Sequence, residues 1–493
     1  MAKRSHEPFN NQQPLHESIS FIWTRLGLPN EALEPLHLPG SGLILPSSFK
    51  IADLAQSTIA LSALSAALIH SLATNSTIPT VTVPRRHAAL EFMSERLYTL
   101  NGKTDTDLWG PIGGLHGTSD GYVRIHDSFP HHRHGALELL GLSADASRED
   151  VAKKVLQWNA QELENAAVER GLVIAKLRSY KEWDEHPQSK ALPDFPIEIR
   201  KVGDSLPGLS TKLVDEAKKG GTKCLKGLRV LELSRVIAAP VAGKTLAAHG
   251  ADVLWVTSAK LPSLPRLDAD LSRGKRSIQL DLDEPGEKMK LLDLVRDADV
   301  VIQSYRPGSL AARGLGAADL AKINPNLVYA NLSAYGHDGP WAKRRGFDSL
   351  VQTCTGFNVS EAEHWNLGTD GVEDRVAAKA LPCQALDHAA GYLLATVILA
   401  ALYRRAKEGG SWEVTVSLAG VGKYLRSLGQ HEGDTGFACQ GPKGPEDVEE
   451  YLEERDCDFG KLKALRHAAN LESLQVGWDE MPRISGSSEM NWL

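Results

Sequence analysis

From residue 227 onward the hydrophobic positions fall into short continuous runs separated by helical spacing. LRVLELS (228–234), ADVLWV (251–256), ADVVIQSY (298–305) and NLVYANLSAY (326–335) are apolar almost without a break. Between them AAPVAGKTLAAHG (238–250), residues 286–296 and residues 310–323 carry the spacing of helices. Strands apolar on both faces and joined by helical crossovers predict an open parallel sheet of doubly wound type. Ligands on such sheets bind beyond the carboxyl ends of the strands, which puts residues 235–240 and 305–308 at the expected mouth. No GxGxxG follows the first strand, so a dinucleotide fingerprint is absent and hydride chemistry is disfavoured.

The rest of the chain reads as pieces around this sheet. Residues 1–45, with one amphipathic helix (15–26) and Pro/Gly turns, look like an N-terminal adaptor. Residues 46–110 predict a long helix, a polar turn, a short β-branched strand and a second helix. The same design returns from Leu381, with Asp53 falling on Asp387 and Val81-Thr82-Val83 on Val414-Thr415-Val416 at an offset of 333 to 334 residues. An internal duplication is the simplest cause. Residues 111–202 read as a small α+β domain, with a strand at 122–126, a His-rich turn, and helices at 135–142, 148–156 and 160–170. A Gly/Ser/Lys-rich stretch makes 203–226 the expected linker before the large domain at 227–428. In the tail, 429–493, a charged solvated loop is expected up to Asp458, then a helix over 462–471 and a docked strap.

Composition narrows the class. With 42% hydrophobic and 24% charged residues the 493-residue chain has the make-up of a soluble enzyme of two or three domains. A net charge of −7 gives no general attraction for nucleic acid or an anionic membrane, so neither is expected as a partner. Five cysteines without CxxC spacing argue against a disulfide framework or a zinc knuckle. A reducing, cytoplasmic setting is expected, and the N-terminal residues lack the apolar core of a signal peptide. The two longest apolar runs, 51–73 and 389–403, read as buried helices; the second is shorter than the ~20 residues of a membrane span. His131, His132 and His134 lack metal-site spacing and are expected in a solvated loop. Cys354 and Cys383 have no base beside them in sequence.

The chemistry centres on Asp387, which stands immediately before a mostly apolar helix in ALPCQALDHAAGYLLATVILAALYRR (380–405). A carboxylate at a helix N-terminus is favoured by the peptide dipoles. By residue type alone it is an N-cap, as Asp53 is in the first copy.

Six segments carry a resemblance that changes this reading: GLRVLELSRVIAAPVAGKTLAAHGADVLWV, LSRGKRSIQLDL, ADVVIQSYRPGSL, NPNLVYANLSAYGHDGPW, RGFDSLVQTCTG and ALDHAAGYLLATVILAAL. In this order and spacing they resemble the class III CoA-transferase (CaiB/BaiF) family. The resemblance implies an α/β fold, a Rossmann-like open parallel sheet with a smaller α+β domain, and a homodimer of interlocked chains. It implies acyl-CoA and a carboxylic acid as partners, coenzyme A as a cosubstrate, and no metal or permanently bound cofactor. Transferases of the family attack the thioester with a helix-start carboxylate, and Asp387 matches it.

Family contacts to CoA or substrate fall on Ile237, Ala238, Lys275, Arg276, Leu280, Asp281, Ser304, Tyr305, Arg306, Arg313, Arg345, Gly346, Phe347 and Asp348. Ser258 and Ala312 replace basic residues common in the family, and its glycine-rich loop has no counterpart. These departures leave a catalytically degenerate CoA-binding protein as an alternative. An acyl-CoA racemase is disfavoured, because the proton-exchanging histidine of the family's racemases falls on Phe347. The small-domain segment, which in the family follows the large domain, here precedes it. Two fused copies, the first lacking its front and the second its middle, are the expected origin.

Overall fold

The computed structural model describes residues 15–104, 109–369, 371 and 375–493, so residues 1–14 of the expected adaptor lie outside the described residues. Seven strands make the central sheet: β1 (Ile197–Gly203), β2 (Arg229–Leu233), β3 (Asp252–Thr257), β4 (Lys275–Gln279), β5 (Val300–Gln303), β6 (Val328–Ser333) and β7 (Ser411–Ser417). Their order is β4-β3-β2-β5-β6-β7-β1. All neighbours are parallel except β1, which runs antiparallel to β7. The fold is α/β, a Rossmann-like open sheet. Alternate side chains enter two cores: Val230, Val253 and Val300 face one, Leu231, Leu254 and Val301 the other. Burial on both faces is what makes the strands read as unbroken apolar runs.

Two strands are hidden from that reading. In β4 the charges of Lys275 and Arg276 are neutralised across the sheet, Lys275 Nζ lying 2.8 Å from Glu232 of β2 and Arg276 Nη2 2.9 Å from Asp252 of β3. β1, expected with the small domain, is the sheet's antiparallel edge.

Five helices position the site: α1 (Ile51–Thr74), α2 (Pro130–Leu139), α3 (Ala238–Ala248), α4 (Asp348–Cys354) and α5 (Ala385–Glu408). α5 lies between α1 and α3. Its approach to α3 needs Gly391, where a Cβ would come within 2.5 Å of the Ala238 carbonyl oxygen and of Val241. α1 and α5 each have 24 residues and start and end 334 residues apart. The residues before them share a backbone conformation, φ −77° and ψ 59° at Lys50, φ −78° and ψ 62° at Gln384. Both helices have the length and apolarity of a membrane span, and α5 is longer than the run 389–403 indicated. Both pack in the core, α5 buried along its whole apolar length. Glu91, the last residue of the helix Arg85–Glu91, and Ser94 just after it join a buried polar network with His467, Lys244 and Asp270 that ties the N-terminal half to α3 and the tail.

The small domain has its own core around Val123, Leu137, Val151 and Leu163 and a three-stranded sheet (Gly114–Gly117, Tyr122–Ile125, Ile174–Lys176). Three local expectations differ from the structure. The linker holds a helix, Thr211–Lys218, with Leu213 fully buried. The run 310–323 is interrupted by Gly314 at φ +70° and resumes as Ala317–Ile323. The tail folds as a hairpin, Leu452–Cys457 with Gly460–Leu465, instead of a loop and helix. Its last residues do form a strap: Ser488 donates to the Ser277 carbonyl and Arg276 to the Asn491 carbonyl, closing the free edge of β4.

Candidate active site

The sheet's connection order reverses between β2 and β5, and a cavity of about 480 Å³ opens beyond the carboxyl ends of these strands. Ile237 and Ala238 after β2, Leu280 and Asp281 after β4, and Ser304, Tyr305 and Arg306 after β5 line it. Arg345, Gly346 and Phe347 form another wall, Arg313 a further one, and Asp387 reaches it from the first turn of α5. Gly346 is dictated by packing, since a Cβ there would lie 2.6 Å from the Cβ of Ala334. The backbone tightens at Val236, whose φ of +72° is unusual for a β-branched residue. That turn carries the chain from β2 into α3, whose first N–H groups border the cavity and have no acceptor within the helix.

Three residues expected at the ligand lie off the cavity. Lys275 and Arg276 are buried in the ion pairs of β4, so they hold the sheet together and do not face a phosphate. Asp348 is fully buried behind the wall, where its Oδ2 accepts the main-chain N–H of Asp387 at 2.9 Å and its Oδ1 the side-chain amide of Gln352. It caps α5 from a distance. The N–H of Asp387 is thereby occupied and is not free for an oxyanion. Arg313 is at the cavity but paired with Asp283 at 2.9 Å.

Asp387 is 6% exposed. Its pKa is raised well above the ordinary carboxylate range, first by burial, then by the charges of Asp348 and Glu95. This reverses the direction expected from the helix dipole alone, because lost hydration and two like charges outweigh the roughly half elementary charge of a helix N-terminus. Burial pushes Asp348 up to about 6 against the hydrogen bonds it accepts. Glu95 comes from the N-terminal half and lies 2.9 Å from His388 Nε2, on the residue after Asp387. Asp53, the counterpart in α1, has no such setting and is paired with Arg85.

The small domain supplies residues that the sequence did not place. Phe129, His131 and His132 line the cavity, so the expected solvated His-rich turn is the start of α2 laid over the site. Among the described residues no His/Cys/Asp/Glu group could hold a metal ion. Phe347 stacks on His126 with ring centroids 4.2 Å apart, and Arg344 pairs with Glu164 at 2.9 Å, which fastens the small domain to the loop before α4. Cys354 and Cys383 are buried, and burial pushes both thiols upward, away from nucleophile chemistry.

Residues 225–444 match the model of CoA-transferase family III. The chain is 33% identical over 282 residues to an acyl-CoA transferase of Gibberella moniliformis, covering 56% of this chain and 48% of that protein. It is 35% identical over 218 residues to a probable fatty acyl-CoA transferase of Mycobacterium tuberculosis, covering 42% and 53%. A crystal structure of that mycobacterial protein aligns at 34% identity over 42% of this chain and 58% of its own, with a TM-score of 0.36. The chain spans about half the length of the curated relatives it matches. Over residues 225–444 this chain is similar to CoA-transferase family III.

Proposed function

We propose that the chain moves CoA from an acyl-CoA thioester to a carboxylic acid, with Asp387 as the covalent nucleophile. The observation that carries this is a buried carboxyl group, on the first turn of α5, opening onto the cavity at the carboxyl end of the sheet. The names of several relatives support it, among them a succinate–glutarate CoA-transferase of Agrobacterium fabrum and an acetyl-CoA:oxalate CoA-transferase of Acetobacter aceti.

The ionised Asp387 attacks the thioester carbonyl, the C–S bond breaks, and CoA thiolate leaves a mixed aspartyl anhydride. The thiolate then attacks the aspartyl carbonyl and releases the donor acid, giving an aspartyl-CoA thioester. The acceptor carboxylate attacks that thioester to form a second anhydride. Thiolate returns to the acceptor carbonyl and frees Asp387 with the new acyl-CoA. A carboxylate whose pKa is raised is the stronger nucleophile once ionised, and the small domain over the cavity limits competing water. The N–H groups of Ala238 and Ala239 at the start of α3 border the same cavity and suit the tetrahedral oxyanions, that of Asp387 being held by Asp348.

Arg306 lines the cavity with no carboxylate partner among the described residues and fits a CoA phosphate. The racemase alternative lacks its base at 347, where the wall is a phenyl ring. The matching bounds of α1 and α5 support fusion of two copies, with Glu95 from the first completing the surroundings of Asp387 within one chain. The test is CoA exchange: a panel of acyl-CoA donors with isotopically labelled acids should yield labelled acyl-CoA. Tight CoA binding with no exchange for any pair would favour the degenerate reading, and α-proton exchange into deuterated water without transfer the racemase.

A further inference from the structure

The chain on either side of Asp387 is held by side chains from two parts of the molecule. α5 has no side-chain cap of its own, Gln384 standing before it at φ −78° and ψ 62°. From α4 and its neighbourhood, Gln352 accepts the N–H of Leu381 at 3.0 Å and Asp348 accepts the N–H of Asp387 at 2.9 Å. From the N-terminal half, Arg96 Nη1 donates to the Pro382 carbonyl at 3.2 Å and Glu95 Oε2 lies 2.9 Å from His388 Nε2. Two consecutive residues thus bracket Asp387, Arg96 reaching the chain before it and Glu95 the residue just after it.

The bracket has a fixed base. Ser94 Oγ donates to Asp270 Oδ2 at 2.6 Å, tying the segment to the network around Lys244 of α3. Phe92 stacks on His388 with ring centroids 5.3 Å apart, so the imidazole is held by its face as well as its edge. Glu95 is fully buried; burial pushes its carboxyl group up, and His388, then Arg96 with its Nε 3.5 Å away, bring it below the usual range. None of these contacts takes the carboxyl oxygens of Asp387, which have no hydrogen-bond partner among the described residues. In α1 the matching carboxylate, Asp53, is itself consumed by Arg85. Fixing the neighbours instead orients a carboxyl group and leaves it free to react.

We infer that Glu95 and Arg96 are positioning residues for Asp387, a clamp supplied by the N-terminal half that fixes the start of α5 and keeps the carboxyl group at the cavity. The inference rests on the reading of Asp387 as the nucleophile. A misplacement of ~1 Å in a reacting group costs on the order of a hundredfold in rate, and the first turn of α5 has no side chain of its own to resist such a shift. The cavity residues that follow β2, β4 and β5 do not touch the clamp, so its loss falls on kcat more than on KM.

The test is the full chain carrying Arg96→Met, Arg96→Lys or Glu95→Ala, read by steady-state kinetics and by amide hydrogen exchange over residues 381–388. Arg96 is half-buried, so its variants decide the outcome even where Glu95→Ala misfolds. Arg96→Met should lower kcat about tenfold, change KM for the donor less than about twofold, and speed exchange over 381–388 about tenfold with other core amides unchanged. Arg96→Lys restores a donor for the Pro382 carbonyl and should recover most of both losses. A folded Glu95→Ala should show the same split between kcat and KM. A purely structural role would lower the melting temperature and leave kcat per folded molecule unchanged; that result in Arg96→Met, or a loss that lysine does not recover, overturns the inference. Exchange is read without turnover, so a wild type that transfers no CoA while exchange over 381–388 still depends on Arg96 would refute the proposed function and leave the clamp standing.

Discussion

The main-chain N–H of Asp387 donates to Asp348 Oδ2 at 2.9 Å, so the carboxyl group that fastens the start of α5 is also the like charge that acts most strongly on the proposed nucleophile. Replacing Asp348 with Asn keeps an acceptor for the N–H and removes the charge. The acid limb of kcat, set by ionisation of Asp387, should then move to lower pH. Asp348→Ala removes the acceptor as well and should lower stability by roughly 1–3 kcal/mol. The pH profile of kcat and denaturant unfolding check the two arms.

Asp387→Asn should abolish transfer yet stabilise the folded chain at neutral pH. The sign follows from the raised pKa: between the ordinary carboxylate value and the folded one, the folded state holds a proton that the unfolded state has released, so wild-type stability falls as pH rises. Asparagine has no proton to lose. Its melting temperature should exceed that of wild type by roughly a few degrees at pH 7 to 8, with the gap closing toward pH 4. Calorimetry across that range measures it.

Lys275 and Arg306 separate a structural cation from a ligand-facing one. Lys275→Met leaves Glu232 buried without its partner and should destabilise the protein by roughly 3–5 kcal/mol, with the folded fraction still binding CoA as before. Arg306→Gln should leave unfolding unchanged and weaken CoA by about tenfold. Chemical denaturation paired with CoA titration distinguishes them.

Most of the sheet was legible because its strands are buried on both faces, as 228–234 and 326–335 show. β4 was not, because KRSIQ conceals a buried strand behind charges whose partners, Glu232 and Asp252, lie on other strands. Those same charges were expected at CoA or substrate because the resemblance through LSRGKRSIQLDL placed them there. The tail misled differently: Leu462, Leu465 and Ala469 keep helical spacing, but KLKAL also alternates, and pairing with Leu452–Cys457 decided for the strand. The place of Asp387 before an apolar run predicted a helix start, and it lies in the first turn of α5; its proposed role came from the resemblance alone. Its raised pKa and the approach of His132 were not, since both depend on residues far away in sequence, Asp348, Glu95 and Arg345.

Gly391 offers a check on the frame that aims Asp387. Alanine there would press on Val241 and on the carbonyl oxygen of Ala238, which lines the cavity. Gly391→Ala should destabilise by roughly 1–3 kcal/mol and lower kcat more than it raises KM for the donor. Thermal unfolding and initial rates test both expectations.

The nucleophile itself is tested most directly by trapping. Intact and peptide mass spectrometry after incubation with acyl-CoA and hydroxylamine, or borohydride, should show Asp387 converted to its hydroxamate or alcohol in wild type, and no modification in Asp387→Asn. An unmodified wild type that still transfers CoA, or an identical adduct in the variant, would contradict covalent catalysis by Asp387.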